Sequence, residues 1–254
     1  MINLSAFSLD GRTVMVTGAN TGIGQGITLA IVRAGGRVIG VGRSSMEETA
    51  RLVAECGGAF EAVQADLAGA PATQAMLDDA WDRWGPIDGL VNNAGIIRRA
   101  DAVDVTEADW DAVMDVNLKS MFFLCQSLAR RALAGGHGAK IVNIASVLSF
   151  QGGIRVAAYT ASKSGVVGIT RSLANEWAAR GINVNAIVPG YIDTNNTAAL
   201  LADPDRSEAI LGRIPAGRWG QPSDIGDSAV FLLSRASNYI HGAALSVDGG
   251  WLAR

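Results

Sequence analysis

Cysteine and histidine are the scarcest reactive residues in this 254-residue sequence, with two of each. Cys56 and Cys125 stand in no metal or redox spacing, and no metal site is expected from them or from His137 and His241. Cys125 follows the apolar run Met121, Phe122, Phe123, Leu124, which reads as a reduced, buried thiol. Long apolar runs are also lacking: none approaches the ~18 residues of a membrane span. No basic segment followed by an apolar stretch and a small-residue cleavage site opens the chain, so a soluble, cytoplasmic protein is expected. Nor does one sign of charge dominate. Lys and Arg number 21 against 24 Asp and Glu, a net charge of -3, which gives no electrostatic reason to expect a nucleic-acid or membrane partner.

What is present suits a globular protein with a substantial core. Hydrophobic residues make up 49% of the chain and charged residues 18%. Short runs rich in Val and Ile predict strands at Thr13–Thr17, Arg37–Val41, Phe60–Gln64, Gly89–Asn92, Lys140–Ile144, Asn183–Val188 and Ala244–Val247. Most are nearly continuous rather than alternating, as in strands covered on both faces. Helical patterns begin near Ile23, Glu47, Ala72, Glu107, Ala157 and Pro222; in the fifth, Val166, Ile169, Leu173 and Trp177 recur at spacings of three and four. Strand and helix alternate, with no repeat or linker. The expected fold is α/β: a single doubly wound, Rossmann-type domain over residues 1–254, with a seven-stranded parallel sheet and helices on both faces.

The first strand runs into Thr17-Gly18-Ala19-Asn20-Thr21-Gly22-Ile23-Gly24, where a helix begins. Glycines there allow a tight turn and close backbone approach, and a helix N-terminus offers free N–H groups to a pyrophosphate. The spacing is G-x-x-x-G-x-G rather than G-x-G-x-x-G, and a structural turn is the competing reading. After the second strand comes Val41-Gly42-Arg43-Ser44-Ser45, with no acid to bind a ribose diol. Arg43 suits a 2′-phosphate or stacking on adenine, which leaves NAD and NADP both open.

Tyr159 and Lys163, spaced i, i+4, project from one helix face. An ammonium beside a phenol favours the phenolate, so this tyrosine is expected to have a lowered pKa and to exchange a proton with an alcohol or ketone. Ser146, just past the fifth strand, is placed to hydrogen-bond the same substrate oxygen. Alone, a Tyr-x-x-x-Lys pair is a solvated helix face; beside Ser146 and a dinucleotide loop it reads as catalytic.

Taken in order, Thr17–Gly24, Asn92-Asn93-Ala94-Gly95, Asn117, Ser146, Tyr159-x-x-x-Lys163 and Pro189-Gly190 resemble the short-chain dehydrogenase/reductase superfamily across nearly the whole chain. The resemblance implies an NAD(P)-dependent oxidoreductase. Tyr159 would be its general acid/base, and Ser146 would position the carbonyl. Lys163 would bind the nicotinamide ribose, and Asn117 would hold a relay water behind it. It implies a cofactor site from Gly18, Asn20, Thr21, Gly22, Ile23 and Gly24, with Arg43, Asp66 and Leu67 at the adenosine end. Asn93, Ala94 and Gly95 would lie beneath the cofactor, and Pro189, Gly190, Ile192 and Thr194 around the nicotinamide. Asn117 also reads as a plain polar helix residue, and Asp66 as a turn residue.

Three segments should surround the carbonyl: Asn92–Asp101, Ser149–Val156 and Pro189–Thr197. Their Arg98, Arg99, Gln151, Arg155, Asn195 and Asn196 suit a hydroxylated carboxylate. Arg98, Gln151, Arg155 and Asn195, with Ser146 and Tyr159, are the expected substrate contacts. Arg98 and Arg99 also read as ordinary solvated loop residues. A lid is expected at about 194–219, and one of the two asparagines also reads as its helix cap. These stretches, with Val247–Trp251, are similar to a narrower bacterial group that interconverts 2-dehydro-3-deoxy-D-gluconate and its 5-keto form. That resemblance favours NAD, with NADP not excluded, and implies a homotetramer with His241 at an interface. The alternatives are a gluconate 5-dehydrogenase-like enzyme, an NADPH-dependent reductase of 3-oxoacyl thioesters, and a non-catalytic dinucleotide sensor.

Overall fold

The computed structural model describes residues 5–254. Seven strands form one sheet: β1 (Thr13–Thr17), β2 (Arg37–Gly42), β3 (Phe60–Gln64), β4 (Gly89–Asn92), β5 (Ala139–Ile144), β6 (Ile182–Pro189) and β7 (Ala244–Val247). Their order is β3-β2-β1-β4-β5-β6-β7, and every pairing is parallel. The chain reverses its direction of winding between β1 and β4, and at such a switch point a crevice opens at the carboxyl ends of the strands. All seven strands fall where the Val/Ile runs predict them, within two residues at either end.

The sheet's two faces carry separate cores. Val14 and Val16 of β1 point to one, with Ile27 and Ile31 of α1 (Gly22–Arg33), Val53 of α2 (Glu47–Glu55), and Ile225 and Leu232. Met15 points to the other, with Leu77 of α3 (Ala70–Trp84), and with Leu124, Leu128, Val166 and Leu173. Central strands are therefore buried on both faces, β6 along all eight residues, whereas the edge strands β3 and β7 are only partly covered.

The helical pattern near Glu107 resolves into two helices. α4 (Glu107–Met114) passes through a π-helical turn, Asp115–Lys119, into α5 (Ser120–Ala134). Asn117 occupies that turn. α6 (Ala157–Trp177) buries the predicted face, with Val166 and Leu173 in the core and Ile169 and Trp177 packed against it. Two short helices, α7 (Ala198–Leu201) and α8 (Pro204–Leu211), precede α9 (Pro222–Leu233). Cys125 is fully buried, and burial pushes its thiol up to about 12; Cys56 is exposed. Among the described residues no helix is long and apolar enough to cross a membrane, and no three His, Cys, Asp or Glu side chains converge as a metal site.

Candidate active site

A cleft of about 410 Å3 opens at the carboxyl ends of β1, β2, β4, β5 and β6. The turn after β1 is shaped by Gly18 and Gly22, both at positive φ (68° and 55°), where a Cβ would be strained. Gly24 does not line the cleft: it packs against the Gly18 carbonyl, so closely that a Cβ there would collide with it. Thr17 stitches this turn to the loop after β4. Its hydroxyl accepts from the backbone N–H of Asn93 and of Ala94, each at 3.0 Å. Asn93 Nδ2 returns to the Thr17 carbonyl at 3.0 Å, and Thr49 Oγ1 donates to the Ala19 carbonyl at 2.9 Å. Thr17 opens the glycine motif, whereas no local signal marks Thr49.

The cap position Thr21 makes no side-chain cap hydrogen bond, which leaves the first N–H groups of α1 available to an anion. This uncapped helix start at a glycine-lined cleft fits a dinucleotide pyrophosphate. Gly18, Asn20, Thr21, Gly22 and Ile23 line the cleft at one end with Arg43, Asp66 and Leu67. Asn93, Ala94, Gly95, Pro189, Gly190, Ile192 and Thr194 line it toward the other. Asp66 also accepts from the Ala68 N–H at 3.0 Å, so it serves a turn as well.

At that other end stand Ser146, Tyr159 and Lys163. Ser146 is extended (φ -163°) and caps a short 3-10 turn, Val147–Ser149, where its Oγ accepts from the Leu148 N–H at 3.1 Å. Ser149 Oγ donates to the Lys163 carbonyl at 2.7 Å and accepts from the Ser146 N–H at 3.3 Å, which locks Ser146 to α6. The Ser-x-x-Ser spacing of Ser146 and Ser149 is the local sequence signal of this capping box. Lys163 is 4% exposed, and its Nζ donates to the Ile144 carbonyl at 2.6 Å. Nζ sits 5.7 Å from the centroid of the Tyr159 ring.

The charge states differ from the expectation of a tyrosine lowered by its lysine. Burial dominates both groups. It pushes the Tyr159 phenol up, against weaker downward pulls from the Ser146 hydroxyl and the Arg99 guanidinium. It pushes Lys163 down to about 8. Desolvation penalises the charged form of each, so the buried phenol holds its proton more tightly than a free tyrosine.

Asn117 lies behind this group, 2% exposed and outside the cleft's lining. Its Oδ1 accepts from the Ile96 N–H at 2.8 Å, and its Nδ2 donates to the Ile96 carbonyl at 2.9 Å and to Ser162 Oγ at 3.2 Å. It therefore fixes the loop bearing Gly95 against α6.

The remaining expected residues separate. Asn195 lines the cleft, as do Asn196 and Thr197. Arg98, Gln151 and Arg155 do not. Arg98 Nε pairs with Asp109 Oδ1 at 3.4 Å, and Arg155 Nε with Asp101 Oδ1 at 3.1 Å. Arg155 is a non-glycine residue at positive φ (63°), and its carbonyl accepts from the Ala100 N–H at 3.2 Å, joining the two rim loops. The cap of α7 is Thr197, not either asparagine. The segment from Asp193 to Trp219 leaves and returns at one point: Ile192 bridges Gly220, and the Asp193 N–H donates to the Gly220 carbonyl at 2.8 Å. Arg218 anchors its far end on Asp224, whose carboxyl is held down to about 2 by that guanidinium. His241 Nε2 lies 3.2 Å from Asn183 Nδ2, and His137 stacks on Trp81.

Known proteins resemble this chain in sequence and fold. The family model described as Enoyl-(Acyl carrier protein) reductase matches residues 18–252. The 2-dehydro-3-deoxy-D-gluconate 5-dehydrogenase of Escherichia coli (strain K12) is 55% identical over 251 residues, covering 99% of each chain. A protein of the same name from Bacillus subtilis (strain 168) is 55% identical over 252 residues, or 98% of each. A crystal structure from Agrobacterium tumefaciens, of a candidate 2-deoxy-D-gluconate 3-dehydrogenase with bound NADP, matches with a TM-score of 0.94 at 58% identity. It covers 98% of this chain and 99% of that one.

Proposed function

The chain belongs to the short-chain dehydrogenase/reductase family, and from that premise we propose that it interconverts 2-dehydro-3-deoxy-D-gluconate and its 5-keto form with NAD(P). The observation that carries the reading is that Ser146, Tyr159 and Lys163 open into the same cleft as the glycine turn and the uncapped start of α1. Identity of 55% along the full length to dehydrogenases of that name supports the substrate.

A bound nicotinamide supplies or accepts the hydride at the substrate carbon. Gly18, Asn20, Thr21, Gly22 and Ile23 hold the pyrophosphate, with Gly24 letting α1 pack closely behind them. Arg43, Asp66 and Leu67 hold the adenosine. Asn93, Ala94, Gly95, Pro189, Gly190, Ile192 and Thr194 hold the nicotinamide half. Ser146 Oγ orients the ketone oxygen. Tyr159, which keeps its proton at neutral pH, gives it to the oxygen as charge develops there, and takes it back in the oxidative direction. Lys163, charged below about pH 8, favours the phenolate that results and binds the ribose hydroxyls. Asn117 is a positioning residue through Ile96 and the base of the proton relay. Ser146, Tyr159 and Asn195 touch the substrate, with Arg98, Gln151 and Arg155 on the outer rim. Residues 194–219 act as a lid hinged at Ile192 and Gly220.

NAD is the proposed working cofactor, and Arg43 is the residue through which NADP is also accepted. The working form is a cytoplasmic homotetramer, supported by the half-covered edge strand β7.

Initial rates at the nicotinamide absorbance band test the reading, with NAD and NADP in parallel. The substrates are a 3-deoxy-uronate-derived ketoacid, gluconate and an acetoacetyl thioester. Turnover of the ketoacid is the expected result. Turnover confined to the thioester would overturn it and favour an acyl reductase.

A further inference from the structure

The lid segment is held unevenly along its length. From Asp193 to Leu211, α7 and α8 included, no residue is buried. Beyond that, Ile214 is 5% exposed and the chain is fastened to the turn that follows β7. The Ala216 N–H donates to the Gly249 carbonyl at 2.9 Å. The two segments are so close that a Cβ on Gly249 would lie 2.9 Å from Ile214 Cγ2, and one on Gly250 2.9 Å from Pro215 Cγ. Arg254 Nη2 donates to the Gly212 carbonyl at 2.8 Å. The Arg213 guanidinium stands 4.1 Å from the centroid of the Trp251 ring. Tyr191 meets the same ring, 4.6 Å between centroids, and packs in turn against Trp219 at 5.5 Å. Trp251 is buried and its Nε1 has no hydrogen-bond partner among the described residues, so packing on the ring is what engages it.

Resting on the lid reading above, we propose that Trp251 and Arg254 are positioning residues for the lid: they clamp residues 212–219 as a fixed stem. Only residues 193–211 then move over the cleft, which brings the far hinge in from Gly220 to Gly212. The moving part carries Thr194, Asn195 and Asn196, which line the cleft. Tyr191 stands between Gly190 and Ile192, which also line it, so the ring that holds the stem braces the near hinge as well. Releasing the stem would add residues 212–219 to the chain that has to be ordered each time substrate binds. That cost is one of conformational entropy and falls on KM.

Brief tryptic digestion of the full chain, with fragments read by mass, tests the division without any turnover. In the wild type the expected cut within the lid follows Arg206 of α8, while Arg213 and Arg218 are spared. In Arg254→Gln and in Trp251→Leu the cuts spread to Arg213. Initial rates on the 3-deoxy ketoacid give the second measurement. Arg213→Met, which loses the cation over the Trp251 ring, raises KM about two- to fivefold, with kcat and the cofactor dissociation constant within about twofold. Arg213→Lys keeps a cation over the ring and retains the wild-type KM. Equal cutting after Arg206 and Arg213 in the wild type overturns the assignment. So does an unchanged KM in Arg213→Met, a lysine that fails to rescue, or a cut that stays at Arg206 in both Arg254→Gln and Trp251→Leu. A wild-type chain left uncut throughout residues 193–219 removes the lid itself, and this assignment with it. Turnover confined to the thioester removes the sugar-acid reading alone, because the tryptic cuts decide the stem whatever the substrate.

Discussion

Tyr159 and Lys163 sit one helical turn apart, and burial drives both toward the neutral form. The pair is thus poised to pass a proton rather than to store charge. Replacing the phenol tests this most directly: Tyr159→Phe should lose nearly all turnover while cofactor still binds, read by initial rates beside nicotinamide fluorescence. Parental turnover in this variant would reject the role. Lys163 also makes a prediction about stability. Its folded pKa is about 8, against an ordinary value of 10.5 in the unfolded chain. Below pH 8 both states hold the proton and the burial cost is felt in full. Above it the folded chain releases the proton first, so stability rises with pH. Lys140, also held down to about 8, works in the same sense, whereas Cys125, held up at about 12, opposes it above pH 9. Between pH 8 and 9 the cofactor-free protein should gain roughly 1 kcal/mol from Lys163. Denaturant unfolding at the two pH values measures it, and Lys163→Met should show a smaller gain than the parent.

At the scale of elements, the positions that hold the site are close contacts between backbones. α1 and α9 approach through Gly26 and Gly226. A Cβ on Gly226 would lie 2.8 Å from both Ala30 Cβ and the Gly26 carbonyl oxygen, and one on Gly26 would run into Pro222. This contact seats α1, whose N-terminus faces the cleft, and it anchors α9, where the lid ends. Gly226→Ala should therefore cost about 1–3 kcal/mol by overpacking, and weaken cofactor binding along with it. Urea unfolding and fluorescence titration measure the two effects; wild-type values in both would show that the helices slide apart freely. The π-helical turn at Asp115–Lys119 has a comparable role. It carries Asn117 inward, where one amide satisfies both the N–H and the carbonyl of Ile96. π-turns of this kind recur at functional sites because they redirect a side chain without ending the helix.

For the whole molecule, the parallel sheet explains why so much function gathers at one end. Strand order reverses between β1 and β4, and the loops that diverge there bring Thr17 and Gly18 to Asn93, 76 residues on from Thr17. The other end of the sheet carries no part of the proposed catalytic machinery. One edge remains partly covered: β7 pairs only with β6, and its residues are half-buried or exposed. An unprotected edge of this kind invites a second copy of the chain. Light scattering of the purified protein should give a mass near four times 26.3 kDa, whereas a monomeric mass would remove the tetramer from the account.

The seven strands, the glycine turn and the Tyr159–Lys163 pair are legible in the sequence. Each is written in a local period: strands buried on both faces read as unbroken Val and Ile runs, and an i, i+4 spacing puts two side chains on one helix face. What no local period encodes is which distant groups meet. The tertiary structure sets Arg98 and Arg155 outside the cleft, facing Asp109 and Asp101. It alone brings Thr17 to Asn93 across 76 residues, and puts Thr197 rather than an asparagine at the N-cap position of α7. It also set the charge of the acid–base pair. Spacing predicted a lowered phenol from the nearness of an ammonium, but the pKa answers to solvent exclusion, a property of the packed whole, and burial outweighs the neighbour.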